Sequence, residues 1–175
     1  MPNSDFPLAA IDAVVNLQTE EALSYRPSDR REFYLQKMGV DEGTFSGIEL
    51  EDMLRRMDAA GIEKAFLIAA KIGRLGLPAS YHIPYQVVVD AVKAYPDRFF
   101  GLAGIDPFEG MAGVRELERA VSELGFIGAH VYPHWFELAP DHAKYYPFYA
   151  KCVELGVPIQ LQVGQSLIYS PANPM

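Results

Sequence analysis

Apolar positions along the chain follow two alternating rhythms. One is a short unbroken run, as in "KAFLIAA" (Lys64 to Ala70), which suits a strand buried on both faces of a parallel sheet. The other returns every three or four residues, the spacing of an amphipathic helix. The first run, "AAIDAVVNLQT" from Ala9 to Thr19, reads as a strand. "SGIELEDMLRRMDAAG" reads as a helix, with a capping box of Ser46 and Glu49, a stripe of Ile48, Leu50, Met53, Leu54 and Met57, and Gly61 as its stop. After Lys64 to Ala70 and a glycine-rich loop, a helix is expected from near Pro84, carrying Val87, Val88, Ala91 and Val92 inward until Pro96 ends it. "RFFGLAGID" gives a third strand. A helix follows with Val114, Leu117, Val121 and Leu124 on one stripe and Gly125 closing it. "FIGAHVYP" gives a fourth strand, then comes a helix whose Phe148, Cys152 and Leu155 share a face, and Val157 to Gly164 gives a fifth.

Strands alternating with helices predict an α/β fold with a parallel sheet and right-handed crossovers. Two closures compete, a doubly wound open sheet and a (β/α)8 barrel. No Gly-x-Gly-x-x-Gly or Walker-type loop supports the open sheet, and periodicity decides no further. The charged stretch of about 18–45 interrupts the alternation. It reads as an excursion with one short helix near Arg30 to Met38, and its length points to function more than linkage. Otherwise the whole of 1–175 reads as one unit.

Composition narrows the partners. Half of the 175 residues are hydrophobic, enough for a sizeable core, and the net charge of -8 argues against nucleic acid or an anionic membrane surface. The lone Cys152 cannot make an internal disulfide. With no signal-like N-terminus and no apolar run of membrane-spanning length, the chain reads as soluble and cytoplasmic.

The segments "IDAVVN", "MDAAGIEKAFL", "YPDRFFGLAGIDP", "GVRELERAVSELGFIGAHVYPHW" and "YYPFYAKCVELGVPIQLQVG" occur in an order that resembles the amidohydrolase-related family, which includes aminocarboxymuconate-semialdehyde decarboxylase and other aromatic-acid decarboxylases. The resemblance runs from about Ala10 onward and is strongest from Tyr95 to Gly164. It implies a TIM-type (β/α)8 barrel with the site at the carboxyl ends of the strands, of which the five N-terminal strands are readable here. A barrel left incomplete in this chain implies a fragment, a second chain that completes it, or a homo-oligomer. Members of the family carry a His-x-His pair on strand one and a histidine on strand five, which help to hold a zinc-type ion. The matching positions are Val14, Asn16 and Gln162. Valine has no lone pair and neutral amides are poor zinc ligands, so the expectation is no metal cofactor at the inherited site.

The remaining chemistry centres on "GAHVYPHWF". Strand alternation places His130, Tyr132 and His134 on one side, facing the pocket, with His130 and His134 the candidate proton-transfer groups. Asn16 and Gln162 are expected to hydrogen-bond substrate, Trp135 to stack on a planar one, and Arg74 to meet a substrate carboxylate. Asp12, Val14 and Asn16 are expected on one face of strand one. Ordinary roles fall to His82 (exposed loop), His142 (surface), Asp106 (capping the turn at Pro107) and Cys152 (core), while Lys71, Arg26, Arg30 and Arg31 also suit a substrate carboxylate but read by default as solvated charge. Two functions remain: an enzyme acting on a small carboxylic acid, as a decarboxylase, hydratase or hydrolase, and a non-catalytic subunit or binding protein that completes a barrel with a second chain.

Overall fold

The computed structural model describes residues 10–27, 35–36, 39, 41–77 and 80–163. Five parallel strands form one sheet in the order β1 (Ala10–Asn16), β2 (Ile62–Ala69), β5 (Phe99–Gly104), β6 (Gly128–Val131), β7 (Ile159–Leu161). The alternating pattern therefore produced the expected parallel sheet, and it curls. Gln160 on one edge strand donates its side-chain Nε2–H to the Ala13 carbonyl on the other at 3.0 Å, which brings the two edges of the sheet within one side chain's reach across its concave face. This is the wall of an incomplete TIM-type barrel.

Each helix follows from its apolar stripe. In α4 (Gly110–Leu124), Val114, Leu117 and Ala120 are buried, and Gly125 ends the helix in the left-handed conformation that costs glycine little. In α3 (Tyr85–Ala94), Val87, Val88 and Ala91 are buried. In α5 (Tyr146–Leu155), Phe148 and Cys152 are buried, and burial raises the Cys152 thiol to about 11, so it is an inert core group.

The chain departs from the expected pattern in four places. The helix α2 (Leu50–Ala59) starts later than a Ser46 cap requires; Glu49 is its N-cap and makes no side-chain capping bond. Gly47 is the reason: it turns the chain at φ 78°, with Glu20 N only 2.7 Å from where a Cβ would stand, and Ile48 N–H bonds to Gln18 O at 2.9 Å before any helix forms. A short α1 (Glu20–Ser24), capped by Thr19, lies in the excursion. The helix expected near Arg30 to Met38, with Arg30 and Arg31, falls largely outside the described residues. In β1, the Asp12 carboxylate accepts from Val14 N–H at 3.1 Å and the pairing with β2 slips between Asp12 and Val15. Asp12 is paired with Ala65 and Asn16 with Ile68, three residues apart, so the two polar residues point to opposite sides rather than sharing a face. Finally, the expected glycine-rich loop after β2 contains an antiparallel ribbon, β3 (Lys71–Ile72) with β4 (Tyr81–His82).

That ribbon starts at the tightest point in the sheet. A Cβ on Gly104 would collide with the Ala69 carbonyl oxygen and stand 2.8 Å from Lys71 N. Neither contact is with a movable side chain. We expect Gly104→Ala to destabilise the fold by about 3 kcal/mol or more, the range of backbone overpacking, read as a fall in the thermal midpoint by circular dichroism. An unchanged midpoint would refute the close approach.

Candidate active site

The carboxyl ends of β1, β5, β6 and β7 meet on the concave side. His130 pairs in register with Gly104 on one side and Gln160 on the other, and is 1% exposed. One residue past β6, Tyr132 donates its hydroxyl to Asn16 Oδ1 at 3.1 Å, and its ring lies 4.2 Å from that of His130. Three of the expected residues thus form one cluster: His130, Tyr132 and Asn16.

The electrostatics of this cluster are set by desolvation. Burial, with His134 adding to it, lowers His130 to about 4, so its imidazole is neutral at pH 7. Its Nδ1 finds no hydrogen-bond partner among the described residues. Burial pushes the Tyr132 hydroxyl well above its ordinary value, which keeps it a proton donor toward Asn16. Arg26 acts in the opposite sense on Tyr132, favouring the charged form. Its guanidinium is fixed by Leu17 O at 2.8 Å and Gln18 Oε1 at 3.3 Å, so it is not the freely solvated charge expected from sequence.

The other expected residues have different surroundings. His134 lies in a 3₁₀ turn, Pro133–Phe136, rather than on the strand; Pro133 ends the extended run. It is half-buried, and burial lowers its pKa. Trp135 packs against the core. Arg74 is exposed, with its guanidinium 4.4 Å from the Phe108 ring centre, and belongs to another loop. Gln162 lies just past β7; its backbone N–H continues the sheet to Val131 O, while the residue is exposed. Val14 is 56% exposed. Sequence reasoning missed Gln160, although it lies two residues before Gln162 and so on the same side of the strand.

A second polar group occupies the outer side of the rim. Lys71 is 5% exposed, not solvated, and its ammonium binds Glu109 Oε2 at 2.6 Å and also Glu116. His82 is not an exposed loop residue either: its side chain is 12% exposed, with Nε2 3.1 Å from Gly73 O and 3.7 Å from Asp106 Oδ2. Asp106 does cap its turn, accepting from Phe108 N–H at 2.8 Å. One donor atom each from His82, Asp106 and Glu109 lie within 4.8 Å of one another, close enough to hold a metal ion.

Comparison with known proteins agrees with the fold. The family model described as Amidohydrolase matches residues 24–175. A gamma-resorcylate decarboxylase of Rhizobium radiobacter is 30% identical over 147 residues, 73% of this chain and 41% of that protein. A 2-keto-4-carboxy-3-hexenedioate hydratase of a Sphingobium species is 35% identical over 89 residues, 46% of this chain and 26% of that protein. Among solved structures, a dihydroxybenzoic acid decarboxylase from a Polaromonas species, with bound manganese and 2-nitroresorcinol, is 26% identical with a TM-score of 0.60, covering 91% of this chain and 50% of that one. The chain spans less than half the length of these curated relatives.

The depressed His130 pKa links stability to pH. Above the unfolded value of about 6.5 neither state is protonated and the folded state keeps its full advantage; as pH falls toward about 4 the unfolded chain takes a proton that folded His130 refuses. We expect a loss of about 2 to 3 kcal/mol from this residue between pH 7 and 4.5, at 1.36 kcal/mol per pKa unit. Urea midpoints at both pH values check it: His130→Gln should show a correspondingly smaller drop, and equal drops in both proteins would sink the assignment.

Proposed function

Because the chain belongs to the amidohydrolase family, we propose that it forms the His130 half of a site that decarboxylates or hydrates a small, aromatic or unsaturated carboxylic acid. The observation that carries this reading is the buried His130 with a free Nδ1, set against the Tyr132–Asn16 pair at the carboxyl ends of curled parallel strands. The matched decarboxylases and hydratase, with their carboxylic acid substrates, support it.

His130 is the proton-transfer group. A neutral imidazole at pH 7 accepts a proton, and an incoming carboxylate raises its pKa by placing a negative charge beside it. In decarboxylation His130 takes up a proton from solvent as the carboxylate enters; the bond from carbon to carboxylate then breaks, carbon dioxide leaves, and the electron pair left on carbon takes that proton. Tyr132 and Asn16 position the imidazole and the substrate through their mutual hydrogen bond. Arg26, anchored at the exit of β1, suits the substrate carboxylate better than exposed Arg74, since its charge acts on Tyr132 itself. His134 contributes through His130, and Gln162 and Trp135 border the substrate on the open side.

The Polaromonas decarboxylase binds manganese. In this chain the positions that the resemblance assigns to strand-one and strand-five ligands do not suit such an ion: Val14 offers no donor, Asn16 Oδ1 already accepts from Tyr132, and Gln162 is a neutral amide. No step of the proposed chemistry passes through a metal there.

A second reading, a subunit that completes its barrel with further polypeptide, is favoured by the exposed apolar residues at the sheet edges, Ile11 and Val14 on β1 and Val163 beyond β7. Light scattering distinguishes a monomer from an assembly.

For the catalytic reading, a panel of hydroxybenzoates and unsaturated tricarboxylic acids should yield one substrate that is turned over. On it, His130→Ala should lower kcat/KM by about one hundred- to ten-thousand-fold, the usual worth of a general acid or base, while Tyr132→Phe costs about tenfold. Wild-type turnover by His130→Ala would exclude the mechanism.

A further inference from the structure

The outer polar group is held together by structure that the proposed chemistry does not use. His82 enters from β4, Asp106 from the end of β5, and Glu109 from the start of α4. His82 Nδ1 lies 4.0 Å from Glu109 Oε1 and Nε2 3.7 Å from Asp106 Oδ2. One ring nitrogen and one oxygen from each carboxylate lie within 4.8 Å of one another, and donors bound at about 2.0 to 2.2 Å to one ion sit roughly 3.0 to 3.5 Å apart, so small side-chain rotations would bring that set onto a common centre.

Three further features match a cation. The Gly73 carbonyl can only accept, so Nε2 carries the proton in its 3.1 Å contact and Nδ1 keeps its lone pair. That arrangement, one ring nitrogen donating to a carbonyl and the other free, is the one metal-binding histidines adopt. Next, each carboxylate is fixed through one oxygen and open at the other: Asp106 Oδ1 takes the Phe108 N–H and Glu109 Oε2 takes Lys71. Lastly, Asp106, Glu109 and Glu116 against Lys71 leave a formal charge of −2 beside the His82 ring.

We infer that His82, Asp106 and Glu109 form a divalent-cation site of the manganese or zinc class, outside the barrel's concave face and distinct from positions 14, 16 and 162. Imidazole with two carboxylates suits these ions and leaves positions for water. Lys71 is a positioning residue here: it holds Glu109 in place and offsets one excess charge. The ribbon then has two faces, with Tyr81 acting on Tyr132 and His82 on the ion, so occupancy would stiffen the loop that borders the His130 cluster.

Binding of manganese alone tests this without reference to turnover, so its failure is separate from failure of the His130 reading. Chelator-stripped protein titrated with manganese chloride, with the free ion followed by electron paramagnetic resonance, should bind one ion per chain. His82→Ala and Asp106→Asn should each weaken binding by about tenfold or more, and Val14→Ala should not. Should those variants fail to fold, pulsed resonance of the wild-type complex should still show one directly bound nitrogen. No saturable binding, binding unaffected by His82→Ala, or a complex without nitrogen coupling would overturn the site.

Discussion

The close approach of β2 to the end of β5 at Gly104 sets the geometry of both polar clusters. With no side chain at that position, the backbone leaving β2 passes directly over the strand beside it, Ala69 O and Lys71 N occupying the space of a Cβ. Two consequences follow from this contact. Lys71 is delivered to the outer side, where α4 presents Glu109 and Glu116, and the chain continues into the ribbon that returns His82 to Asp106. Tyr85 adds a further tie, its hydroxyl donating to Gly104 O at 2.7 Å. His130 pairs with the same glycine from the other neighbour, so the inner and outer clusters share one point of registration.

The two clusters resolve the cost of burying an ionisable group in opposite ways. The Lys71 ammonium is met by two carboxylates, which stand in for the lost water. His130 has no such partner among the described residues, and its imidazole gives up the proton instead. A buried charge that is already compensated is poor at changing protonation state. A neutral imidazole with one nitrogen unpaired among the described residues is poised to change when an anion arrives, which suits His130 to the proposed proton-transfer role and Lys71 to a structural one.

Most of the parallel sheet was legible because each strand and helix is specified by residues near one another in the chain. The stripe of Val114, Leu117 and Val121, or the run from Lys64 to Ala70, carries its own period. The features that sequence reasoning misplaced depend on distant partners or on too few residues to show a period. Lys71 looks like a solvated loop charge until Glu109, 38 residues on, is brought beside it. Each strand of the ribbon has two residues, and the glycines between them read as loop. The slip in β1 comes from one side chain, Asp12, capturing the Val14 N–H that regular pairing would use. Alternation then predicts the wrong face for Asp12.

That slip bears on the concave face as a whole. Strict alternation gives Asp12, Val14 and Asn16 a common side, the arrangement a strand needs to present two ligands to one ion. The irregular pairing leaves Asn16 on the side of Ile68 and turns Asp12 to the side of Ala65. Asn16 Oδ1 is then committed to Tyr132, whose ring lies against His130. The residue that stands where the resemblance assigns a ligand therefore fixes the orientation of an aromatic hydroxyl. Hydrogen bonding at Asn16 and desolvation at His130 reinforce each other: the first holds Tyr132 over the imidazole, and the ring in turn helps to keep water from it. A metal at the outer cluster would act on this arrangement through the ribbon, where Tyr81 and His82 are adjacent residues, and through the end of β5, where Ile105 N–H, next to Asp106, bonds to His130 O at 2.9 Å.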